Sequence, residues 1–128
     1  MSDKQRSLLD ALGRAVGRFA DALHQPKTEY TRDAAIQRFE FTFELLWKAL
    51  KAVSDAAGLP VYSPRDSLRS AFQLGLIEDS AEWFSMLEDR NLASHTYSET
   101  AVEAIFSRLP SYEPLIRRAL DRLEAQIS

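Results

Sequence analysis

The side chains that could carry chemistry are concentrated in one stretch of the chain, residues 88–97. Within it, Arg90, His95 and Tyr97 follow the spacing Arg-x4-His-x-Tyr. An imidazole titrates near neutral pH and can accept or donate a proton. A guanidinium offers a rigid fork of donors that matches phosphate or carboxylate. The arginine therefore indicates recognition of an anionic group, and no other stretch of the chain competes with this one.

A helix over this stretch would divide its polar residues between two faces. At about 100° per residue, one stripe holds Glu88, Asn91 and His95, and the other holds Arg90, Ser94 and Tyr97. The second stripe continues an apolar line, so Arg90 extends a buried face and needs partners there. His95 lies about 140° round from Arg90. The two side chains converge on one target only if the helix end distorts or a second subunit completes the site, which predicts an interface.

The elements that position this stretch are predicted to be helices throughout. Glycine and proline number only 4 and 5 in 128 residues, and the segments between them are long and rich in helix-forming residues. The predicted helices run from about Asp3 to Leu23, from an N-cap at Thr31 to a stop at Gly58, from Pro64 to Leu74, from Asp79 or Ser80 to about Tyr97, and from Glu99 to about Gln126. Pro110 and Pro114 are expected to kink or split the last helix near Ser111 and Tyr112.

Long helices with short joints predict an all-α antiparallel bundle of four to six helices, with one domain over residues 1–128. The aromatic residues Phe39, Phe43 and Trp47 are expected to belong to the core. Phe41 falls off their stripe, at a position suited to a dimer mate or a partner. His24 is expected to interact with the end of the first helix.

Composition excludes several function classes. The net charge of -3 gives no bulk positive field, so any contact with RNA has to be local. Without cysteine there is no disulfide, thiolate metal site or thiol nucleophile, which fits a cytoplasmic protein. No stretch approaches the roughly 18 apolar residues of a membrane span. No glycine-rich phosphate loop and no metal-ligand spacing occurs, so neither a metal nor a cofactor is expected.

The Arg-x4-His-x-Tyr pattern resembles the signature of the HEPN superfamily, in particular the HepT-like toxins that pair with minimal nucleotidyltransferases. Residues 37–48, 63–65, 71–77 and 89–97 resemble the nucleotidyltransferase substrate-binding protein family. This resemblance covers nearly the whole chain, from about Arg32 to Leu123.

The resemblance implies a HEPN-like homodimer that binds a separate minimal nucleotidyltransferase, the antitoxin of the pair. In such toxins the residues matching Arg90 and His95 form a metal-independent site across the dimer that cleaves RNA through the ribose 2'-hydroxyl. The tyrosine matching Tyr97 accepts nucleotide from the partner (AMPylation), which blocks the site. Asn91, Ser94 and Glu88 would be supporting residues.

The same resemblance also allows two other functions. Similarity to the substrate-binding domain of aminoglycoside nucleotidyltransferases implies a noncatalytic subunit that supplies one wall of a composite active site. A scaffold that only binds the partner is a third possibility. Arg90 and His95 could equally form an interhelical hydrogen-bond network without catalysis, and Tyr97 could be an ordinary packing residue.

Other arginines carry weaker signals. Arg65 and Arg69 lie one turn apart and could face nucleotide phosphates, but solvated helix faces show the same spacing. The cluster of Arg117, Arg118 and Arg122 is explained by a general preference, since arginine outnumbers lysine throughout the chain.

Overall fold

The computed structural model describes residues 2–95 and 98–127, and within them the secondary structure is entirely α-helical. The helices are α1 (Asp3–Leu23), α2 (Glu29–Ala56), α3 (Pro64–Gln73), α4 (Ala81–Ala93) and α5 (Glu99–Ile127). The long helices α1, α2 and α5 pack on one another, and the short helices α3 and α4 pack against α2 and each other. The all-α bundle predicted from the sequence is confirmed.

The start of α2 lies earlier than its predicted N-cap. Thr28, not Thr31, is the N-cap, and the two threonines form a reciprocal capping box. The Thr28 hydroxyl accepts from the Thr31 amide at 3.0 Å, and the Thr31 hydroxyl accepts from the Thr28 amide at 2.7 Å. Thr31 therefore completes the cap from inside the first turn. The predicted stop is confirmed, because Gly58 takes a positive φ of 82° just beyond Ala56.

Helix α4 starts after its Ser80 cap as predicted but ends at Ala93, before the predicted end near Tyr97. Ser94 is the C-cap, and the turn tightens as the His95 amide donates to the Leu92 carbonyl at 3.0 Å. The Ser94 hydroxyl also donates to Glu40 of α2 at 3.0 Å, so a tertiary contact holds the chain where the helix stops. Tyr97, with Thr96, lies outside the described residues.

Helix α5 is continuous through its two prolines, so of the predicted kink or split the split does not occur. Pro110 and Pro114 both lie on the exposed face, where the carbonyls that lose their intrahelical partners can reach water. The opposite face is held in the core by Leu109, Tyr112 and Ile116, each no more than 1% exposed. Packing of this buried face keeps the helix continuous through the prolines.

An aromatic cluster forms the centre of the core. The Phe39 ring lies 5.9 Å from that of Phe19, 6.3 Å from that of Phe43 and 5.7 Å from that of Tyr112, measured between centroids. These rings join α1, α2 and α5. The core assignment of Phe39 and Phe43 is confirmed, with Trp47 packed at the edge. Phe41 is 61% exposed, as its position off the stripe predicted.

A buried carboxylate fixes α4 against α5. Asp89 is only 5% exposed and accepts two hydrogen bonds of 2.7 Å from the guanidinium of Arg108. It also accepts one from the Tyr112 hydroxyl at 2.5 Å. Burial, with the neighbouring Asp89 carboxylate, raises the pKa of Tyr112, so the hydroxyl stays a donor well above neutral pH. The carboxylate is thus satisfied on both oxygens.

This cluster predicts that replacing Asp89 by alanine destabilises the fold. Without the Asp89 carboxylate the buried Tyr112 hydroxyl has no hydrogen-bond acceptor, whereas the partly exposed Arg108 guanidinium can hydrogen-bond to water. We expect Asp89→Ala to lower the free energy of unfolding by about 2–3 kcal/mol. The adjacent Glu88 is exposed, and its alanine variant should stay within about 0.5 kcal/mol of the parent. Urea unfolding measures both; equal effects would contradict a structural role for the Asp89 cluster.

Candidate functional site

The candidate residues lie at the carboxyl end of α4. Arg90 is half-buried, with 26% of its side chain exposed, whereas Asn91, Ser94 and His95 are exposed. The Arg90 guanidinium donates to the Asn91 side-chain carbonyl at 3.1 Å. The last turn of a helix carries partial negative charge, which favours cations such as Arg90 there. Arg90 was predicted to extend the buried face of the helix, and its side chain is indeed partly buried.

The partner of Arg90 is a carboxylate on α2. The Arg90 Nη2 atom donates to Glu44 at 2.5 Å, and the Trp47 indole donates to the same Glu44 oxygen at 3.0 Å. Lys48 adds an ion pair at 3.4 Å. Burial opposes ionisation of Glu44, but these donors outweigh it and hold the pKa of the carboxyl below its usual range. Glu44 is therefore ionised at neutral pH and compensates the Arg90 charge.

A second carboxylate on α2 repeats this contact one turn away. Glu40 accepts from the Ser94 hydroxyl at 3.0 Å, as Glu44 does from Arg90. Glu40 and Glu44 are four residues apart on α2, and Arg90 and Ser94 are four residues apart on α4. Residues at this spacing lie on one face of a helix, so the two contacts lie side by side between the helices. Neither Glu40 nor Glu44 was predicted from the sequence to be a site residue. The signal that could have found them is the four-residue spacing, which the two acids share with Arg90 and Ser94.

His95 lies just beyond the helix end, and its side chain is exposed. Among the described residues no hydrogen bond or ion pair joins its ring to Arg90 or to either glutamate. Within one chain, the structure therefore brings Arg90, Asn91 and Ser94 together with α2 and leaves the imidazole facing solvent. Tyr97, the predicted modification site, falls outside the described residues.

Glu88 contributes nothing visible to this cluster. Its side chain is exposed, and over residues 2–95 and 98–127 it makes no hydrogen bond or ion pair. The neighbouring Asp89 is the acid that the fold uses, although it points to α5 instead of towards Arg90. The role of Glu88 as a supporting residue stays a prediction.

The segment after the site is anchored by a buried arginine of α2. Arg32 is 5% exposed and donates to Glu99 at 2.7 Å and to Glu103 at 3.0 Å, both in the first turns of α5. Lys27 also pairs with Glu103, and these two cations lower the pKa of that carboxyl. The start of α5 is therefore tied to the start of α2.

The arrangement combines an exposed imidazole with a guanidinium whose charge a carboxylate compensates. An anionic ligand that displaced Glu44 would find Arg90 already oriented, and the exposed His95 could exchange a proton with a ligand or with water. In the part of the chain that the structure describes, no three acidic or histidine side chains lie close enough to hold a metal ion. None of the described helices is long and apolar enough to cross a membrane.

The other arginines considered in the sequence, and His24, make contacts away from Arg90. The Arg65 guanidinium lies 5.4 Å from the Phe84 ring centroid, a cation–π distance. Arg118 and Arg122 both pair with Glu78, and Arg117 pairs with Glu113. The other histidine bonds to the end of α1 as predicted, through a contact of 2.7 Å between the His24 Nδ1 atom and the Ala20 carbonyl.

Known proteins share this fold and much of the sequence. A probable ribonuclease HepT from Haemophilus influenzae is 35% identical over 83 residues, which cover 61% of this chain and 57% of that protein. The chain thus spans less than two thirds of the length of this curated relative.

Three solved structures are similar over nearly their whole length. A Thermus thermophilus protein is 40% identical with a TM-score of 0.81, covering 88% of this chain and 98% of its own. A Haemophilus influenzae protein, described as revealing the fold of a substrate-binding domain of a nucleotidyltransferase, is 26% identical with a TM-score of 0.69, covering 95% and 98%. A tri-AMPylated HEPN toxin of Shewanella oneidensis, in complex with its MNT antitoxin, shares the fold at 19% identity and a TM-score of 0.80, covering 98% and 99%.

The family model for nucleotidyltransferase substrate-binding-like proteins matches residues 7–125, which is nearly all of the sequence. The match reaches into all five helices and includes the whole Arg-x4-His-x-Tyr stretch. On this evidence of sequence and fold together, the chain belongs to the nucleotidyltransferase substrate-binding-like protein family.

Proposed function

We propose that this protein is the toxin of a two-component pair, a cytoplasmic HEPN endoribonuclease that a minimal nucleotidyltransferase neutralises. The observation that carries the proposal is the solvent-facing end of α4, where Glu44 holds Arg90 in place and His95, just beyond the helix end, is exposed. The relative named as a probable ribonuclease HepT supports the same activity. The Shewanella neighbour, whose fold the chain shares, is a HEPN toxin bound to an MNT antitoxin, which supports the two-component pair.

The proposed cleavage needs no metal ion. A ring nitrogen of His95 accepts the proton of a ribose 2'-hydroxyl, and the 2'-oxygen attacks the adjacent phosphorus. The bond between phosphorus and the 5'-oxygen breaks, that oxygen takes a proton from water as it leaves, and His95 returns its proton to solvent. Arg90 stabilises the negative charge that develops on the phosphorane oxygens. The products are a 2',3'-cyclic phosphate and a 5'-hydroxyl.

A second copy of the chain completes the proposed site. Within one copy, among the described residues, no hydrogen bond joins the ring of His95 to the Arg90 side chain, and His95 lies beyond the end of the helix that carries Arg90. A twofold axis beside α4 would bring the Arg90 of one protomer to the His95 of the other. Leu92 lies between these residues and is 45% exposed, so it offers apolar surface to such a homodimer.

The proposed partner acts on Tyr97. The Shewanella HEPN toxin is tri-AMPylated and bound to its MNT antitoxin, and we propose that a minimal nucleotidyltransferase transfers AMP to the hydroxyl of Tyr97 in this chain. The modification adds bulk and negative charge two residues after His95. Added phosphate would compete with RNA for Arg90.

One observation favours a second function, that of a noncatalytic substrate-binding subunit. Glu44 already compensates the Arg90 guanidinium, so the resting site is less positive than a phosphate-binding site usually is. The relative described as having a substrate-binding domain fold matches 95% of this chain at 26% identity. In this role the end of α4 would orient a small molecule for the partner enzyme.

Replacement of the exposed imidazole tests the ribonuclease. Purified wild-type protein should cleave RNA in excess EDTA, and His95→Ala should lower the rate roughly 10²- to 10⁴-fold, the usual contribution of a general base. The matched control is His24→Ala, because His24 is exposed at the end of α1 and bonds to the Ala20 carbonyl, and its variant should keep full activity. Cleavage is measured on labelled RNA, with growth arrest on expression as a second readout.

The two proposed functions give opposite results in that experiment. If wild-type protein and His95→Ala are equally inert towards RNA while the pair with its nucleotidyltransferase modifies a small molecule, the ribonuclease is excluded and the substrate-binding subunit is supported.

The shared site predicts complementation between inactive variants. Arg90→Ala and His95→Ala should each be inactive alone, but co-refolded heterodimers should regain cleavage, because one of their two sites combines an intact guanidinium with an intact imidazole. Mixing two preparations of the same variant is the control. If the mixed heterodimer, isolated with two affinity tags, stays inactive, the pairing of residues across the dimer is wrong.

Nucleotide transfer is tested at the tyrosine itself. After incubation with the nucleotidyltransferase and ATP, wild-type protein should gain the mass of one or more AMP groups and lose cleavage. Tyr97→Phe should gain no mass and stay active. Tyr62→Phe is the matched control, since this hydroxyl belongs to a residue that is 85% exposed. Modification that disappears only in Tyr62→Phe would overturn the assignment to Tyr97.

A further inference from the structure

An arginine-lined groove runs between α1 and α2, on a part of the surface that the candidate site does not use. It has a volume of about 600 Å³. Arg14 and Arg18 of α1 and Arg38 of α2 line it together with Phe41. Small side chains, including those of Ala11, Ala15 and Ala34, also line it, so a bound chain could approach the helix backbones closely. No carboxylate is among the lining residues.

The charges of these three arginines are not compensated. Within the described residues none of Arg14, Arg18 and Arg38 forms an ion pair. Arg38 instead donates to the main-chain carbonyl of Arg18 at 2.8 Å, which fixes its guanidinium without neutralising it. Half of the arginines are used otherwise, in ion pairs: Arg32, Arg90, Arg108, Arg117, Arg118 and Arg122. In a chain of net charge -3, the groove is therefore a local positive region.

An exposed aromatic ring lies between this groove and the candidate site. Phe41 is 61% exposed, and on α2 it lies three residues before Glu44, the partner of Arg90. Residues three apart are neighbours on a helix surface. A ligand lying along the arginines would therefore pass Phe41 before it reaches Glu44 and Arg90.

We propose that this groove binds a single-stranded segment of RNA, with phosphates on Arg14, Arg18 and Arg38 and a base stacked on Phe41. Basic side chains beside an exposed aromatic ring are the combination by which proteins hold single strands without reading their sequence. An acidic protein segment could also bind arginines, but continuity with the Arg90 and His95 site favours the nucleic acid. The use of this RNA as a substrate rests on the proposed ribonuclease function; its binding in the groove does not.

Binding is measured on protein that cannot cleave. In the His95→Ala background, fluorescence anisotropy of a labelled, unstructured single-stranded RNA reports affinity over a series of salt concentrations. Replacing Arg14, Arg18 and Arg38 together by glutamine should weaken binding roughly tenfold to a hundredfold at physiological salt and reduce the slope of log K against log salt by about 2. The double variant, in which only Arg14 and Arg18 are replaced by glutamine, should show a smaller loss of RNA affinity and a smaller reduction of the salt slope. It replaces the triple variant in the experiment if the triple variant does not fold.

The matched control is Arg6→Gln, which removes the same charge from an exposed arginine of α1 outside the groove. It should bind RNA as the parent does. Phe41→Ala should weaken binding roughly fivefold or more, as expected for loss of one stacked base, with no change in the salt slope. A duplex of the same sequence should gain little from Phe41, because its bases are already stacked.

The outcomes separate the groove from the ribonuclease. RNA that is bound through the arginines but never cleaved by wild-type protein would leave the groove in place and exclude the proposed activity. RNA that is cleaved, and bound equally by the triple variant and by Arg6→Gln, would overturn the groove. Loss of the complex with the nucleotidyltransferase in the triple variant, with RNA binding intact, would also overturn it and identify a protein-docking surface.

Discussion

The position of α4 depends on two adjacent residues of opposite charge that are held by different helices. Asp89 is drawn to Arg108 and Tyr112 of α5, and Arg90 is drawn to Glu44 of α2. A carboxylate as buried as Asp89 would cost several kcal/mol if it were unpaired, so the fold requires its donors. Because consecutive residues leave a helix about 100° apart, the two contacts fix both the depth and the rotation of α4.

The same constraint explains why the site presents its groups as it does. With α4 fixed in rotation, Ser94 meets Glu40 and the helix ends where that contact forms. His95 then follows the C-cap, exposed to solvent. The site thus has a guanidinium held on the helix and an exposed imidazole on the turn that follows the helix. In such a site the Arg90 guanidinium is suited to bind an anion and the His95 imidazole is suited to exchange a proton.

The distribution of charge matters more than its sum. A net charge of -3 argues against broad attraction of RNA, but acidic side chains near the site, such as Glu44 and Asp89, serve particular arginines. Glu44 holds Arg90 in a resting ion pair that a phosphate could replace, since both are anions of suitable shape for a guanidinium. The uncompensated arginines lie instead along the groove between α1 and α2. An acidic protein can in this way bind a polyanion locally.

The sequence alone determined the helices, because capping residues, glycines and apolar spacing act over a few residues. It located α1, α3, the start of α4 and the core rings Phe39 and Phe43. It missed the N-cap of α2, where Thr28 and Thr31 were both candidates of the right type. It also erred where tertiary contacts decide: at the end of α4, which Glu40 holds, and in allowing a split at Pro110 and Pro114, where the buried face of α5 outweighs two lost hydrogen bonds.

The residues of the candidate site also divide into those that the sequence predicts and those that only the packed structure brings together. The run from Arg90 to Tyr97 is visible in the sequence because its residues are contiguous. Glu40, Glu44 and the arginine groove are not, because their partners lie on helices distant in sequence. Likewise, local spacing could not tell that Asp89 is buried and Glu88 exposed. Which of two neighbouring carboxylates is desolvated depends on the donors that other helices bring to it, and only the packed bundle supplies them.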